Sequence, residues 1–281
     1  MFESVITPKR PNWILRILAA VLLVVAAVSA SLWQMSQMPL SSYRGPLPAL
    51  TVSQSELASR LEKHVQYLSH EIGERNLDRV ASMKTTTDYI RGELAQLGYS
   101  VDEQNYIVAG QSASNLEAQL PGASASEAIV IVGAHYDSVT GTVGADDNAS
   151  GVAAVFELAR ILKETRLRRT VRFVFFANEE PPYFQTDTMG SFVYAHELHS
   201  KGIRVSAMIS LETIGFYSDF PGSQKYPPVL GLLYPSRGNF VGFVSDGESR
   251  DLLQRSIRAF RGSAKFPSEG VAAPATCVKS L

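Results

Sequence analysis

The stretch Ala128-Ile129-Val130-Ile131-Val132-Gly133-Ala134-His135 has the composition of a buried strand that ends on a metal-binding side chain. An unbroken run of β-branched residues indicates a strand covered on both faces, as in parallel sheets. Two further apolar runs follow the same pattern: residues 170–178 lead to Glu179-Glu180, and residues 205–211 lead to Glu212. In open α/β sheets, ligands bind beyond the carboxyl ends of the strands. We therefore predict a hydrolytic metal site where these three ends converge.

Strand-like and helical segments alternate from residue 100 onward, which predicts an α/β fold. We expect a three-layer sandwich around a largely parallel mixed sheet. The predicted strands are 100–108, 115–120, 129–134, 170–177, 205–211 and 240–244. The predicted helices are 53–73, 83–97, 150–163, 189–200 and 246–260, and residues 215–237 read as a long loop.

Composition divides the 281 residues into three parts. For residues 1–35 we predict a short cytoplasmic stub and an apolar helix. Residues 36–52 form a Pro- and Ser-containing linker, and residues 53–281 have the length of one globular domain. The uncharged run 17–33 follows basic residues, which predicts a single-pass membrane protein with its domain on the extracytoplasmic side. The alternative is a signal peptide cleaved near Val28-Ser29-Ala30.

Charge and cysteine content exclude several functional classes. The net charge is −1, and no Lys/Arg-rich run occurs, so we expect no nucleic-acid partner. The single cysteine, Cys277, excludes an intrachain disulfide and a cysteine-based zinc site. The sequence does not indicate an oligomeric state.

The first candidate ligands lie in His135-Tyr136-Asp137 and in Asp146-Asp147-Asn148. A metal-bound histidine usually donates its second ring N–H to a carboxylate, so we interpret His135 as a ligand and Asp137 as the residue that orients it. A carboxylate on the glycine-flanked loop at 146–148 can bridge two cations. The same residue types also favour a helix N-cap, and both roles stay open here.

The other candidates are the carboxylates that follow the second and third strands. Glu179 and Glu180 repel each other, and a cation would relieve that repulsion, with one residue as ligand and the other as general base. The alternative is a solvated turn before Pro181-Pro182. Glu212 follows a buried strand, where a carboxylate needs a partner.

Together these motifs resemble the M28 family of zinc metallopeptidases, which are two-zinc aminopeptidases and related exopeptidases. Four ordered segments carry the resemblance: His135-Tyr136-Asp137-Ser138, Gly144-Ala145-Asp146-Asp147-Asn148-Ala149-Ser150-Gly151, Asn178-Glu179-Glu180 and Ser210-Leu211-Glu212-Thr213-Ile214-Gly215. A looser similarity extends over residues 55–260 and includes Ile72-Gly73-Glu74-Arg75. The resemblance implies a zinc-exopeptidase fold and peptide substrates.

The resemblance also implies a role for each matched residue. Asp147 would bridge two zinc ions, His135 and Glu212 would complete the first site, and Glu180 would bind the second ion. Glu179 would be the general base that deprotonates the shared water. Glu212 stands where many family members carry Asp.

One family feature is absent from the sequence. The family takes its last zinc ligand from a C-terminal histidine, and no histidine follows His199. We therefore expect an incomplete second zinc site in a C-terminally truncated chain that lacks the last strand and helix. We interpret His196 and His199 as surface residues, and His64 and His70 as ordinary structural histidines.

Three functional hypotheses follow. The first is a membrane-anchored zinc exopeptidase of the aminopeptidase type. The second is a truncated, catalytically impaired family member or non-catalytic module. The third is a glutaminyl-cyclase-like acyltransferase with one zinc ion, which His135 and a bridging Asp147 disfavour.

Overall fold

The computed structural model describes residues 13–124, 128–226 and 230–274. The basic residues Lys9 and Arg10 and the cysteine Cys277 lie outside these ranges. The chain divides into two compact units, one formed by Pro48–Tyr217 and one formed by Met1–Leu47 with Ser218–Leu281. The boundaries expected from composition, near residues 35 and 52, stay a prediction.

A five-stranded sheet with the order β1-β2-β4-β3-β5 forms the centre of the unit 48–217. β2 pairs antiparallel with β1 and β4, and β3 pairs parallel with β4 and β5. The sheet is therefore mixed, as predicted, but only two of its four pairings are parallel. The strands are β1 (Val101–Val108), β2 (Gln111–Leu120), β3 (Ile129–His135), β4 (Val171–Phe176) and β5 (Val205–Ser210).

The antiparallel edge of the sheet is a consequence of one short turn. Only Ala109 and Gly110 connect β1 to β2, and both have positive φ, at 49° and 80°. A two-residue turn with left-handed backbone joins antiparallel strands, whereas parallel strands need a long crossover. A largely parallel sheet was expected because this turn was not recognised in the sequence.

Helices cover both faces of the sheet because β4 is apolar on both sides. Phe173 and Phe175 belong to the core shared with the helices α2, α3 and α4. Val174 and Phe176 belong to a second core with α5. The three layers predicted from the sequence follow from this alternation. The helices are α2 (Val52–Gln66), α3 (Val80–Gln96), α4 (Gly151–Leu162) and α5 (Gly190–Ser200).

The start and end of α2 follow from local sequence. Thr51 and Gln54 form a reciprocal capping box at its start. After Gln66 the chain continues as a wider helical turn to Ile72 and stops at Gly73, whose φ is 80°. This stop places Arg75 at the base of the candidate site, because Gly73 turns the chain back into the core.

The second unit contains a smaller parallel pair of strands. β6 (Val241–Asp246) pairs with β7 (Ser268–Ala273), and α6 (Arg250–Ser263) connects them. The helix buries Leu253 and Ile257. β7 was not predicted from the sequence, because Val271 is the one strong strand former among its residues Ser-Glu-Gly-Val-Ala-Ala.

An apolar helix, α1 (Trp13–Ser36), belongs to the same unit and has no buried residue. It is long and apolar enough to cross a membrane, and a signal sequence near an N-terminus meets the same test. The segment after it lies against α6, where Arg250 donates to the carbonyl oxygens of Gln34 and Gln37. Arg261 donates to the carbonyl oxygens of Pro39 and Leu40.

Candidate metal centre

The carboxyl ends of β3, β4 and β5 meet at one edge of the sheet because these neighbouring strands are parallel. His135 is the last residue of β3, and its side chain is 2% exposed. Glu179 and Glu180 follow β4, and Glu212 follows β5. The topology thus brings together the side chains that the sequence placed at three separate strand ends.

Three carboxylates lie around the Nε2 atom of His135. The Oδ1 atom of Asp147 is 3.0 Å away, and the Oε1 atom of Glu212 is 3.3 Å away. The Oε2 atom of Glu179 is 3.7 Å away. On the other side of the ring, the Nδ1 atom lies 3.3 Å from Oδ1 of Asp137. The pair of ring contacts is the one expected for a ligand histidine with an orienting carboxylate.

Asp137 also holds the loop that carries the two adjacent glutamates. The backbone N–H groups of Glu179 and Glu180 donate to its two carboxylate oxygens, each over 3.1 Å. Asp137 is almost fully buried. One carboxylate therefore determines both the ring orientation of His135 and the position of the Glu179-Glu180 loop.

The loop before α4 positions Glu212 as well as Asp147. Asn148 donates from Nδ2 to the carbonyl oxygen of Leu211 over 2.8 Å and to Oε2 of Glu212 over 3.2 Å. Its Oδ1 atom accepts from the N–H of Gly151 at the start of α4. Asn148 thus ties the end of β5 to the start of α4, which keeps Asp147 and Glu212 on the same side of His135.

The electrostatics of the centre reflect several carboxylates held close together. The pKa of Glu179 is raised to about 7, chiefly by burial; the neighbouring carboxylates also raise it, and His135 lowers it. Burial also raises the pKa of Glu180, and Asp147 adds to that effect. Burial lowers the pKa of His135, but hydrogen bonds to its carboxylate neighbours outweigh it, so the pKa lies well above the usual value. A hydrogen bond to His135 lowers the pKa of Asp147.

These residues fit a divalent cation. Ligand atoms of His135, Asp147 and Glu212 lie within 4.8 Å of one another, and so do those of His135, Glu179 and Glu180. The Oε1 atom of Glu180 is buried without a hydrogen-bond partner. A buried carboxylate oxygen left unpaired is costly, and a cation would supply its partner. Imidazole and carboxylate are among the ligands that zinc takes in proteins.

Residues 115–228 match the family described as Peptidase family M28. This segment belongs to peptidase family M28. It contains His135, Asp147, Glu180 and Glu212, and the family was the one that the four sequence motifs resemble. The resemblance is therefore confirmed at the level of the family.

Relatives of the M28 segment occur in bacteria. The uncharacterized protein YfbL of Escherichia coli is 40% identical over 210 residues, which cover 71% of this chain and 63% of that protein. Aminopeptidase YwaD of Bacillus subtilis is 38% identical over 88 residues, which cover 31% of this chain and 18% of that enzyme. The chain thus spans less than two thirds of either relative.

The solved structure of BSAP, a zinc aminopeptidase from Bacillus subtilis, has the same fold. It superimposes with a TM-score of 0.63 at 16% identity, covering 79% of this chain and 81% of that one. This similarity supports the mixed α/β fold of the chain.

The remaining histidines lie outside the centre. His196 and His199 on α5 and His70 after α2 are exposed. His64 is buried, and its Nδ1 atom lies 2.7 Å from the hydroxyl of Tyr89. Among the described residues, neither candidate cluster contains a second histidine beside His135. The interpretation of these four histidines as structural or surface residues agrees with their positions.

Two sets of supporting contacts were not predicted from the sequence. Asp146 accepts from the N–H of Gly215, and the Ser150 hydroxyl accepts from the N–H of Ile214, so the loop after Glu212 is held from the start of α4. Arg75, known from the sequence only as part of a loosely matching segment, is fully buried beneath the centre. No local pattern indicates the Asp146–Gly215, Ser150–Ile214 and Arg75–Gly144 contacts, because each joins residues more than 60 positions apart.

Proposed function

We propose that this chain is a zinc-dependent exopeptidase of the aminopeptidase type, which hydrolyses peptide bonds. The observation that carries the proposal is the group of carboxylates around Nε2 of His135, together with the buried, unpartnered Oε1 atom of Glu180. Membership of the M28 segment in a peptidase family supports the reaction class. Similarity to an aminopeptidase of Bacillus subtilis supports the exopeptidase type.

His135, Asp147 and Glu212 would hold one zinc ion, and Asp147 with Glu180 would hold a second. The proposal of two ions rests on the family resemblance and on the two overlapping groups of ligand atoms. A bound zinc ion polarises a carbonyl group and lowers the pKa of water. Asp137 is a positioning residue here, because it contacts His135 and the backbone of the Glu179-Glu180 loop.

Glu179 is the proposed general base. Its side chain is 29% exposed, so a substrate can reach it, and its Oε2 atom lies 3.7 Å from His135. A general base works best when its pKa is near the operating pH. Glu179, with its pKa raised to about 7, can accept a proton at neutral pH and return it to the departing amine.

The N-terminal helix would anchor the enzyme. α1 is 24 residues long and has no buried residue, which suits a membrane span. The basic residues before it favour a single pass with the peptidase on the extracytoplasmic side. Retention of the full-length chain in membranes after alkaline washing supports the anchor, whereas a shorter chain in the soluble fraction indicates signal cleavage.

Hydrolysis of aminoacyl p-nitroanilides by the purified full chain tests the proposed reaction. We expect turnover that requires zinc and that Glu179→Gln abolishes, while zinc content stays unchanged. The matched control is Glu62→Gln, an exposed residue of α2 that contacts Gln66. Zinc binding without turnover would contradict the peptidase and favour a non-catalytic module. Cyclisation of an N-terminal glutamine without hydrolysis would favour an acyltransferase.

A further inference from the structure

A buried arginine lies beneath the candidate metal centre and has no role in the proposed hydrolysis. Arg75 has no exposed surface. Its guanidinium makes five hydrogen bonds of 2.7–2.9 Å, all to backbone carbonyl oxygens: those of Leu68, Gly73, Tyr136, Val143 and Gly144. The planar fork of arginine presents its N–H donors in a fixed geometry, which suits an array of fixed acceptors such as this one.

The acceptors of Arg75 belong to the two segments that carry ligands. Tyr136 lies between His135 and Asp137 at the end of β3. Gly144 lies three residues before Asp147, on the loop that enters α4. Since one rigid guanidinium donates to both segments, it sets the separation between the backbone of His135 and that of Asp147.

A second layer of contacts closes the loop between these segments. The backbone N–H of Arg75 donates to Oγ of Ser138 over 3.1 Å, and the N–H of Ser138 donates back to the carbonyl of Arg75 over 2.6 Å. The Ser138 hydroxyl donates to the carbonyl of Thr142 over 3.0 Å. The loop 138–144 is thereby tied to Arg75 through its own backbone and through Ser138.

The charge of Arg75 also faces the centre. Within the described ranges, no carboxylate lies within ion-pair distance of its guanidinium, although Asp137 and Asp147 are close enough to raise its pKa. Burial has the larger effect and lowers that pKa to about 10, so the group stays a cation at neutral pH. A buried cation with no ion-pair partner is costly to keep, and its backbone acceptors and the field of the site carboxylates compensate for that cost.

We propose that Arg75 is a positioning residue of the metal centre, which holds the His135 and Asp147 segments at the ligand separation before a cation binds. The inference rests on the proposed metal-dependent function. It predicts that Arg75 determines zinc affinity and ligand geometry in addition to stability. A residue with a purely structural role would change stability and leave the affinity of the folded protein unchanged.

The test compares Arg75→Lys with Arg172→Lys in the full chain. Arg172 is a matched control, because it is a second largely buried arginine of the same unit, on β4, that contacts Glu117 and Tyr194 instead of the centre. Zinc affinity is measured by competition with a chromophoric chelator, and ligand geometry by the visible spectrum of the Co²⁺-substituted protein. Unfolding in urea is followed for each protein without metal.

We expect Arg75→Lys to weaken zinc affinity by about 10- to 100-fold, the range typical of groups that support metal ligands. The Co²⁺ spectrum should change as well. Arg172→Lys should lose stability and keep both the affinity and the spectrum of the wild type. Ser138→Ala, which removes two hydrogen bonds and keeps Arg75, should show a smaller loss of affinity in the same direction, and it decides the question if Arg75→Lys does not fold.

Unchanged zinc affinity and an unchanged Co²⁺ spectrum in folded Arg75→Lys would overturn the inference. If Arg75→Lys does not fold, the same result in Ser138→Ala would overturn it. An equal loss of zinc affinity in Arg172→Lys would overturn it as well. These outcomes are distinct from failure of the proposed function. A wild type that binds zinc tightly without turnover contradicts the exopeptidase and leaves the affinity comparison valid. A wild type that binds no zinc overturns both.

Discussion

Asp137 shows how a single buried carboxylate can organise the candidate metal centre without being one of its proposed ligands. It contacts the ring of His135 and accepts from two consecutive backbone N–H groups on the neighbouring strand end. The sequence predicted the first contact, because His135 and Asp137 are two residues apart. It did not predict the second, because a backbone donor from residue 179 leaves no mark in the amino-acid pattern.

Replacement of Asp137 by asparagine tests this dual role. The amide nitrogen cannot accept, so one of the two N–H groups on the Glu179-Glu180 loop loses its partner, and His135 loses a charged neighbour. We expect zinc affinity to fall by about 10- to 100-fold, as for other groups that orient a ligand. Isothermal titration with zinc measures the change, and Asp102→Asn on the exposed edge strand β1 is the control. Equal affinity in the two variants would show that Asp137 does not orient the site.

At the scale of elements, the turn before Asp147 depends on a glycine. Gly144 has φ of 52°, and a Cβ atom there would lie 2.4 Å from the carbonyl oxygen of Asp147 and 2.9 Å from Nη2 of Arg75. The backbone conformation alone disfavours any other residue, and the close approach adds a steric clash. Gly202, with φ of 65°, has the same backbone preference, but a Cβ atom there would have no neighbour within 4 Å.

Alanine substitutions at Gly144 and Gly202 distinguish the cost of a left-handed backbone from the cost of a steric clash. Gly202→Ala should lower the free energy of unfolding by about 1–2 kcal/mol, the cost of a left-handed backbone. Gly144→Ala should lower it by a further increment of about 1–3 kcal/mol, because overpacking moves the loop. It should also weaken zinc binding, which Gly202→Ala should leave unchanged. Urea unfolding and zinc titration measure the two effects, and identical behaviour of the two variants would contradict the steric account.

The segment after α1 is a second element whose position depends on a few side chains. Arg261 is almost buried and donates to the carbonyl oxygens of Pro39, Leu40 and Ser268. Such hydrogen bonds from a charged donor are each worth about 1.5–3 kcal/mol. Composition suggested an extended linker here, because prolines and serines carry no signal for contacts made more than 200 residues away.

Arg261→Ala should therefore free residues 39–40 from α6, while Arg250 still holds Gln37. We expect faster amide hydrogen exchange in that segment and earlier proteolytic cleavage within it. Arg258→Ala, on the exposed face of the same helix, should leave both unchanged. Equal exchange rates in the two variants would indicate that the segment is held by other contacts.

Most elements were predictable because their hydrophobic period is strong. All six predicted strands and all five predicted helices are present. The wider turn to Ile72 is counted here as part of the first predicted helix. The largest differences between a predicted and an observed boundary are then four residues, at the starts of β2 (Gln111) and α6 (Arg250). Two features escaped prediction for physical reasons. β7 is too rich in small residues to show a strand period, and strand direction is a property of connections such as Ala109-Gly110 rather than of the strands themselves.

At the scale of the whole molecule, the fold explains why the candidate site could be recognised before its geometry was known. Parallel pairing of β3, β4 and β5 brings their carboxyl ends together, so three strand-end motifs become one cluster. The contacts that support the cluster were not predictable, since the side chains of Arg75 and Asn148 donate to the backbone carbonyls of Gly144 and Leu211, each more than 60 residues away. The match to peptidase family M28 covers the segment that contains the cluster and agrees with it.

Zinc retention by the full chain tests the central claim most directly. The protein is loaded with zinc, separated from free metal by gel filtration and analysed for bound metal by native mass spectrometry, beside His135→Gln and the exposed control His196→Gln. We predict that the wild type and His196→Gln retain zinc and that His135→Gln loses it, because His135 is the one imidazole in the described clusters. A wild type that retains no zinc, or a His135→Gln variant that retains as much as the wild type, would contradict the account.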